Sequence, residues 1–199
     1  MSVMSSNIVF YLVNTAVAIL VSLVVLRFLL QLTQANYYNP ICQGVGKITA
    51  PLVAPLRALP TIGPVNLGVY ASAVVIQAAG AALGFTLMGG LPGALPLLVW
   101  SFLSVFGVLL DLIFYALLGM IILSWLAPNA THPGAELVIQ ITEPLLAPFR
   151  RLIPNMGGLD LSPILLFVLV NLLEAMVVNS AARSFGLSST AAQLFIGIG

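Results

Sequence analysis

Residues 142–163 read TEPLLAPFRRLIPNMGGLDLSP, and they decide the fold because their pattern occurs twice. Residues 49–67, TAPLVAPLRALPTIGPVNL, place Pro51, Pro55 and Arg57 where the later copy has Pro144, Pro148 and Arg150. The offset is 93 residues from Pro40/Pro133 through Leu59/Leu152, and a one-residue deletion in the first copy makes it 94 from Pro60/Pro154 to Asn66/Asp160. A period this long, with apolar flanks in both copies, predicts a duplicated helix pair, not a solenoid of short repeats.

Outward from this stretch the chain reads as membrane sequence. Of 199 residues 61% are hydrophobic and 6% charged, against about 25% charged in an average soluble domain. The expected surroundings are therefore a lipid bilayer. A net charge of +1 offers no clustered basic surface, which argues against nucleic acid as a partner. Apolar runs at 8–32, 67–88, 97–126 and 161–182 are long enough for transmembrane helices at about 1.5 Å per residue. The expected fold is an all-α membrane protein with four such helices in two tandem hairpins, over 1–90 and 97–182, followed by a tail, 183–199. Residues 1–7 carry no base, so the first run reads as a retained helix and not as a signal peptide. Gly80 and Gly84, four apart, suit close helix packing in lipid. Arg27, near the end of the first run, is expected to snorkel to the interface, and Trp100 and Trp125 to anchor the third.

Each hairpin carries a proline-rich segment, 33–66 in the first and 127–160 in the second. In the second, Glu136, Gln140, Glu143, Arg150 and Arg151 recur near a helical period among Leu137, Val138, Ile141, Leu145 and Phe149. That pattern predicts an amphipathic helix lying in the membrane interface. Proline removes a backbone donor and bends a helix, so two short pieces are expected to meet near Pro144. With two spans per repeat, both segments fall on one side. That side has Lys47, Arg57, Arg150 and Arg151, with Arg27 close by, and the other side only Arg183. The positive-inside rule then places the segments in the cytoplasm and both termini outside.

Candidate functional residues fall into three groups. Pro51, Pro55, Arg57, Pro144, Pro148, Arg150 and Arg151 form an interfacial motif suited to lipid headgroups or a membrane-protein partner, a second copy of the chain included. Asp160 and Asn66 stand where they can cap the following spans. Arg151 and Asp160 are both charged, whereas the first copy has Ala58 and Asn66 in their places, so an ion pair closing the second hairpin is the competing reading. The third group lies deep in the spans: Asp111 and Glu174, whose counterparts are Ala18 and Gly80. Intramembrane acids often mark ion or proton paths, and the alternative is a protonated packing role. Asn171 and Gln77 are amides at matching positions that could hydrogen-bond across the pseudo-twofold axis.

Catalytic chemistry is not visible. His132 is the only histidine and Cys42 the only cysteine, which leaves no triad, no metal cluster, no intrachain disulfide and no haem-attachment cysteine pair. Cys42 reads as a small buried residue. No cofactor and no enzymatic activity are expected.

The motif P-L-L-x-P-F-R-R-L-I-P-x-M-G-G-L-D-L-S-P at 144–163, together with Tyr37-Tyr38-Asn39-Pro40, resembles the YggT family of bacterial inner-membrane proteins. The resemblance covers nearly the whole chain and departs from the motif in the first copy at Ala58, Asn66 and the deletion. It implies a small membrane protein of two repeats with a part in osmotic-stress tolerance or ion uptake. Plastid relatives are implicated in membrane organisation and in maturing a membrane cytochrome. The reading that results is a non-enzymatic inner-membrane protein of envelope or osmotic homeostasis. Its rivals are an ion or proton transport component using Asp111 and Glu174, and a membrane cytochrome assembly factor.

Overall fold

The computed structural model describes residues 2–87, 90–126, 132–152 and 161–179. Its elements are helix α1 (Ser2–Leu32), helix α2 (Pro40–Val53), a 3-10 turn (Ala54–Leu56), strands β1 (Thr61–Ile62) and β2 (Val65–Asn66), and helices α3 (Leu67–Leu87), α4 (Ala94–Leu126), α5 (Pro133–Leu152) and α6 (Ser162–Leu173). A π-helical stretch, Glu174–Asn179, continues α6. Three helices are long and apolar enough to cross a membrane: Ile8–Leu32 within α1, Leu67–Leu87 and Ala94–Leu126. Ser162–Met176 is a shorter apolar helix.

The core forms where α1, α3 and α4 meet. Val21, Val24, Val25 and Leu29 of α1, Val69 of α3 and Val105 and Leu117 of α4 are fully buried. Outside this core the helices remain apolar: Leu12, Tyr115, Ile164, Val168, Leu172 and Met176 are all exposed. Water would penalise such a surface, and hydrocarbon would not. At Gly80 of α3 helix α1 comes so near that a Cβ there would stand 2.5 Å from Val17 Cγ1. Gly84, one turn on, is buried.

The α1 terminus sets the chain on its turn toward α2. Gln34 takes a left-handed φ of 54°, Ala35 N donates to Leu30 O (2.9 Å) and Gln34 N to Gln31 O (3.1 Å), which together make a Schellman motif. Asn39 then caps α2 by accepting from Ile41 N (2.9 Å), with Pro40 in the first turn. The second copy starts α5 in the same way but with different chemistry. His132 Nδ1 accepts from Gly134 N (3.1 Å) and Ala135 N (3.2 Å), with Pro133 at the first helical position. His132 is therefore a cap at the position matching Asn39.

Three expectations are corrected. α5 is a single helix over Pro133–Leu152, not two pieces meeting near Pro144. Its buried side, Ala135, Leu137, Ile141 and Leu146, is held against the core, and tertiary packing outweighs the local proline cost. Pro144 and Pro148 stand one turn apart on the exposed side, where outside polar groups can serve the freed carbonyls of Gln140 and Pro144. The fold is also not wholly helical. Thr61 pairs with Asn66 and Ile62 with Val65 in an antiparallel ladder, because Gly63 at φ 58° followed by Pro64 makes a two-residue hairpin turn between β-branched flanks. Lastly, Arg27 does not extend along α1 to the interface: its Nη1 donates to Gly46 O (3.1 Å) and Thr49 Oγ1 (3.1 Å) of α2. The turn at 155–158, the segment 127–131 and the tail 183–199 lie outside the described residues.

Two substitutions test this packing. Gly80→Ala is expected to lower stability in detergent micelles by about 1–3 kcal/mol through overpacking, and Val17→Ala in the same chain should recover part of that loss. An unchanged melting temperature for Gly80→Ala would show that α1 and α3 do not meet there. Asn39→Asp keeps the α2 cap but loses the amide donor that reaches Pro133 O (2.8 Å), so a cost of about 1–3 kcal/mol is expected from the unmade bond. Equal stability of wild type and Asn39→Asp would remove that bond from the account.

Candidate functional site

The two proline-rich segments form elbows that dock on one another. Gln140 Oε1 of α5 accepts from Asn36 N (2.9 Å), and Asn39 Nδ2 donates to Pro133 O (2.8 Å) at the start of α5. Asn39 is 4% exposed, and its buried amide bonds to backbone groups of both copies at once. Tyr37 and Tyr38 project beside this junction and are highly exposed. Burial pushes the Cys42 thiol on α2 up from its usual value, which leaves little nucleophilic thiolate at neutral pH.

Inside each elbow a threonine occupies the matching buried position. Thr49 and Thr142 are fully buried. Thr49 Oγ1 donates to Val45 O (2.6 Å) and Thr142 Oγ1 to Val138 O (2.8 Å). The residue that each threonine meets on the preceding long helix differs. Thr49 receives the guanidinium of Arg27, whereas Thr142 lies 3.3 Å from Met120 Sδ, and Met120 is the repeat counterpart of Arg27. The contact is shared by the two copies and the charge is not.

The arginines of the motif also differ. Arg150 forms an ion pair with Glu143, one side of which is well exposed. Surface pairs of this kind contribute about 0–1 kcal/mol, so its value is in orienting the guanidinium. Arg57 is exposed just after the 3-10 turn. Pro51 lies inside α2 and Pro55 in the 3-10 turn. Arg151 is exposed at the end of α5, while Asp160, its expected partner, lies outside the described residues. In the first copy Asn66 Oδ1 accepts from Val69 N (3.2 Å), a cap on α3. The elbow is fitted tightly here, since a Cβ on Gly68 would collide with Leu56 O.

Of the acids within the apolar segments, Asp111 lies on α4 and Glu174 at the start of the π-helical stretch that packs against α4, and both are half-buried. The amides are not in equivalent settings. Gln77 is 6% exposed, whereas Asn171 is exposed and its Nδ2 donates to Phe167 O of its own helix (2.8 Å). Their environments differ because α3 is enclosed by α1 and α4, while α6 presents an open face. Among the described residues no group of three or more His, Cys, Asp or Glu side chains is placed to hold a metal ion.

Comparison with known proteins gives the same division into two copies. The family described as CCB3/YggT matches residues 6–87 and again 99–181. An uncharacterized protein of Pseudomonas aeruginosa is 43% identical over 180 residues, 89% of this chain and 91% of its own length. The protein YggT of Escherichia coli K12, also uncharacterized, is 33% identical over 167 residues, 82% of this chain and 86% of its own. A relative from Vibrio alginolyticus is 34% identical over 165 residues, 79% of this chain and 86% of its own. No solved structure matches. With both halves matched and relatives this similar along most of their length, the chain belongs to the CCB3/YggT family, as a tandem repeat of its unit.

Proposed function

We propose that the chain is a non-enzymatic inner-membrane protein of envelope or osmotic-stress homeostasis, and that its docked elbows contact lipid headgroups or a membrane-protein partner. In this reading α6 with its π-helical continuation makes a fourth crossing, residues 162–179 reaching most of the way through an apolar core about 30 Å thick. Both elbows then lie in the cytoplasmic interface and both termini outside. The observation that carries the reading is the joint between the elbows. It sets Lys47 and Arg57 of one copy and Arg150 and Arg151 of the other, all exposed, on neighbouring segments. Amphipathic segments of this kind bind membranes through buried apolar area plus attraction of bases to anionic lipid.

A second reading, ion or proton transport, is favoured by one observation. The two acids within apolar helical segments, Asp111 and Glu174, stand on α4 and on the π-helical stretch that packs against it. Glu174 opens a π-helical stretch, a distortion frequent at functional sites. A third reading, membrane cytochrome assembly, rests only on the first half of the family description.

Reconstituted protein separates these readings. The first expects Arg150→Ala to reduce crosslinking to headgroups or neighbouring proteins, with Asp111→Asn and Glu174→Gln neutral. Proton or cation flux that disappears in Asp111→Asn and Glu174→Gln but persists in Arg150→Ala would transfer the function to the carboxyl pair. Loss of membrane cytochromes on deletion, with no flux and no headgroup crosslinks, would favour the third.

A further inference from the structure

The two repeats carry an amide at the same place, and only one of the two is enclosed. Gln77 stands on α3, which packs against both α1 and α4, and is 6% exposed. Asn171, its counterpart, stands on α6, which packs against α4 and α5, and it faces outward, exposed. In the first repeat protein covers this position. In the second it is left open to the surroundings of the chain.

Those surroundings are at their most apolar there. Asn171 comes nine residues after Ser162 and eight before Asn179, about 12–14 Å from either end of the segment. The middle of a bilayer holds no water to hydrogen-bond an amide, so an amide turned to lipid at this depth is costly. Asn171 Nδ2 donates to Phe167 O of its own helix (2.8 Å). That bond uses one hydrogen of the amide, and its second hydrogen and Oδ1 can serve a partner beyond the helix. Ile164, Val168 and Ala175 are exposed as well. With Asn171 they follow one another at intervals of four, three and four residues. This is the spacing of a seam along which two helices pack at a small crossing angle, and Ala175 is small enough to let the backbones approach.

Whatever covers the seam must bring a hydrogen-bonding group to the midplane. A second copy does so with no further residue. Two copies inserted in one orientation and related by a twofold axis along the membrane normal place each residue of α6 at the depth of its own counterpart, so that Asn171 meets Asn171. An amide is self-complementary, each Nδ2 donating to the other Oδ1. Residues 183–199, by contrast, follow α6 on the outer side. To reach Asn171 they would have to return about 13 Å into hydrocarbon with every backbone donor satisfied on the way.

We propose that a second copy of the chain packs on α6, and that paired Asn171 amides join the two copies at the bilayer midplane. The proposal rests on the reading of α6 as a fourth crossing, and it gives the membrane-protein partner of that reading an identity. The dimer sets the docked elbows of both copies on one side of the membrane.

Disulfide crosslinking in native membranes tests the geometry. In full-length Cys42→Ala protein, Asn171→Cys and Val168→Cys should each form covalent dimers on mild oxidation, and Val75→Cys, exposed on α3, should not. Association is read by energy transfer between donor- and acceptor-labelled chains in liposomes of phosphatidylethanolamine and phosphatidylglycerol. Asn171→Leu removes the amide yet suits hydrocarbon, so insertion is not endangered. It should raise the dissociation constant about three- to twentyfold, and Asn171→Gln, which keeps an amide, should recover most of the loss. A wild type that stays monomeric, or that associates no more tightly than Asn171→Leu, overturns the proposal. So does a crosslink from Asn171→Cys to a different protein, or an intrachain disulfide in Asn171→Cys/Leu194→Cys in place of the dimer. A membrane-impermeant maleimide separates this proposal from the reading beneath it. If Asn171→Cys is protected from both sides and yet forms no dimer, the fourth crossing stands and the second copy is removed. If Asn171→Cys reacts from water, the crossing fails and the proposal with it.

Discussion

The amide of Asn39 is the joint on which the rest of the arrangement depends. Its side-chain carbonyl closes the first turn of α2 and its side-chain nitrogen donates to the carbonyl of Pro133 at the start of α5. Each elbow begins with a residue before proline, which cannot continue a preceding helix and leaves helix-end groups to be satisfied. In a chain this apolar, few polar partners are available for those groups. Satisfying both ends with one side chain ties the two copies together at the level where the long helices emerge. Asn36 and Gln140 make the second tie.

Duplication explains which features the elbows share, and divergence explains what each can do. The capped X-Pro start, the buried threonine bonded to the carbonyl one turn back, and the following arginine occur in both copies. Charge compensation does not. Where the second copy has Met120 and Glu143, the first has Arg27 and Ala50. Arg150 of the second elbow thus has a carboxylate beside it, whereas the first repeat has none of its own for Arg57. The acids have diverged in the opposite sense, since Asp111 and Glu174 replace Ala18 and Gly80. Gly80 packs closely against Val17 of α1, so the same repeat position serves tight packing in one hairpin and polarity in the other.

The long apolar runs and the two copies were legible in the residues because both are carried by local composition and spacing. Asn66 as a cap and Gly80 as a packing point were legible for the same reason: each follows from one residue type at one place. What was not legible depended on contacts distant in sequence. Pro144 and Pro148 read as breaks, yet α5 stays helical because Leu137, Ile141 and Leu146 are held on its other side. Arg27 read as a snorkelling residue because the sequence does not show that Thr49 and Gly46 fold back over α1. The hairpin at Thr61–Asn66 had a local signal, Gly63-Pro64 between β-branched residues, which the abundance of prolines in the segment obscured. The cap at His132 carries a weak local signal, because histidine is an uncommon cap, and only its alignment with Asn39 points to the role.

Elbows joined in this way must share one face of the membrane. This is tested by replacing Cys42 with Ala and adding Lys47→Cys or Arg151→Cys, then labelling intact and permeabilised spheroplasts with a membrane-impermeant maleimide. Both cysteines should be protected in intact spheroplasts and react only after permeabilisation. Labelling of one from outside and the other from inside would contradict it, because elbows joined through Asn39 and Gln140 cannot lie on opposite sides of a bilayer.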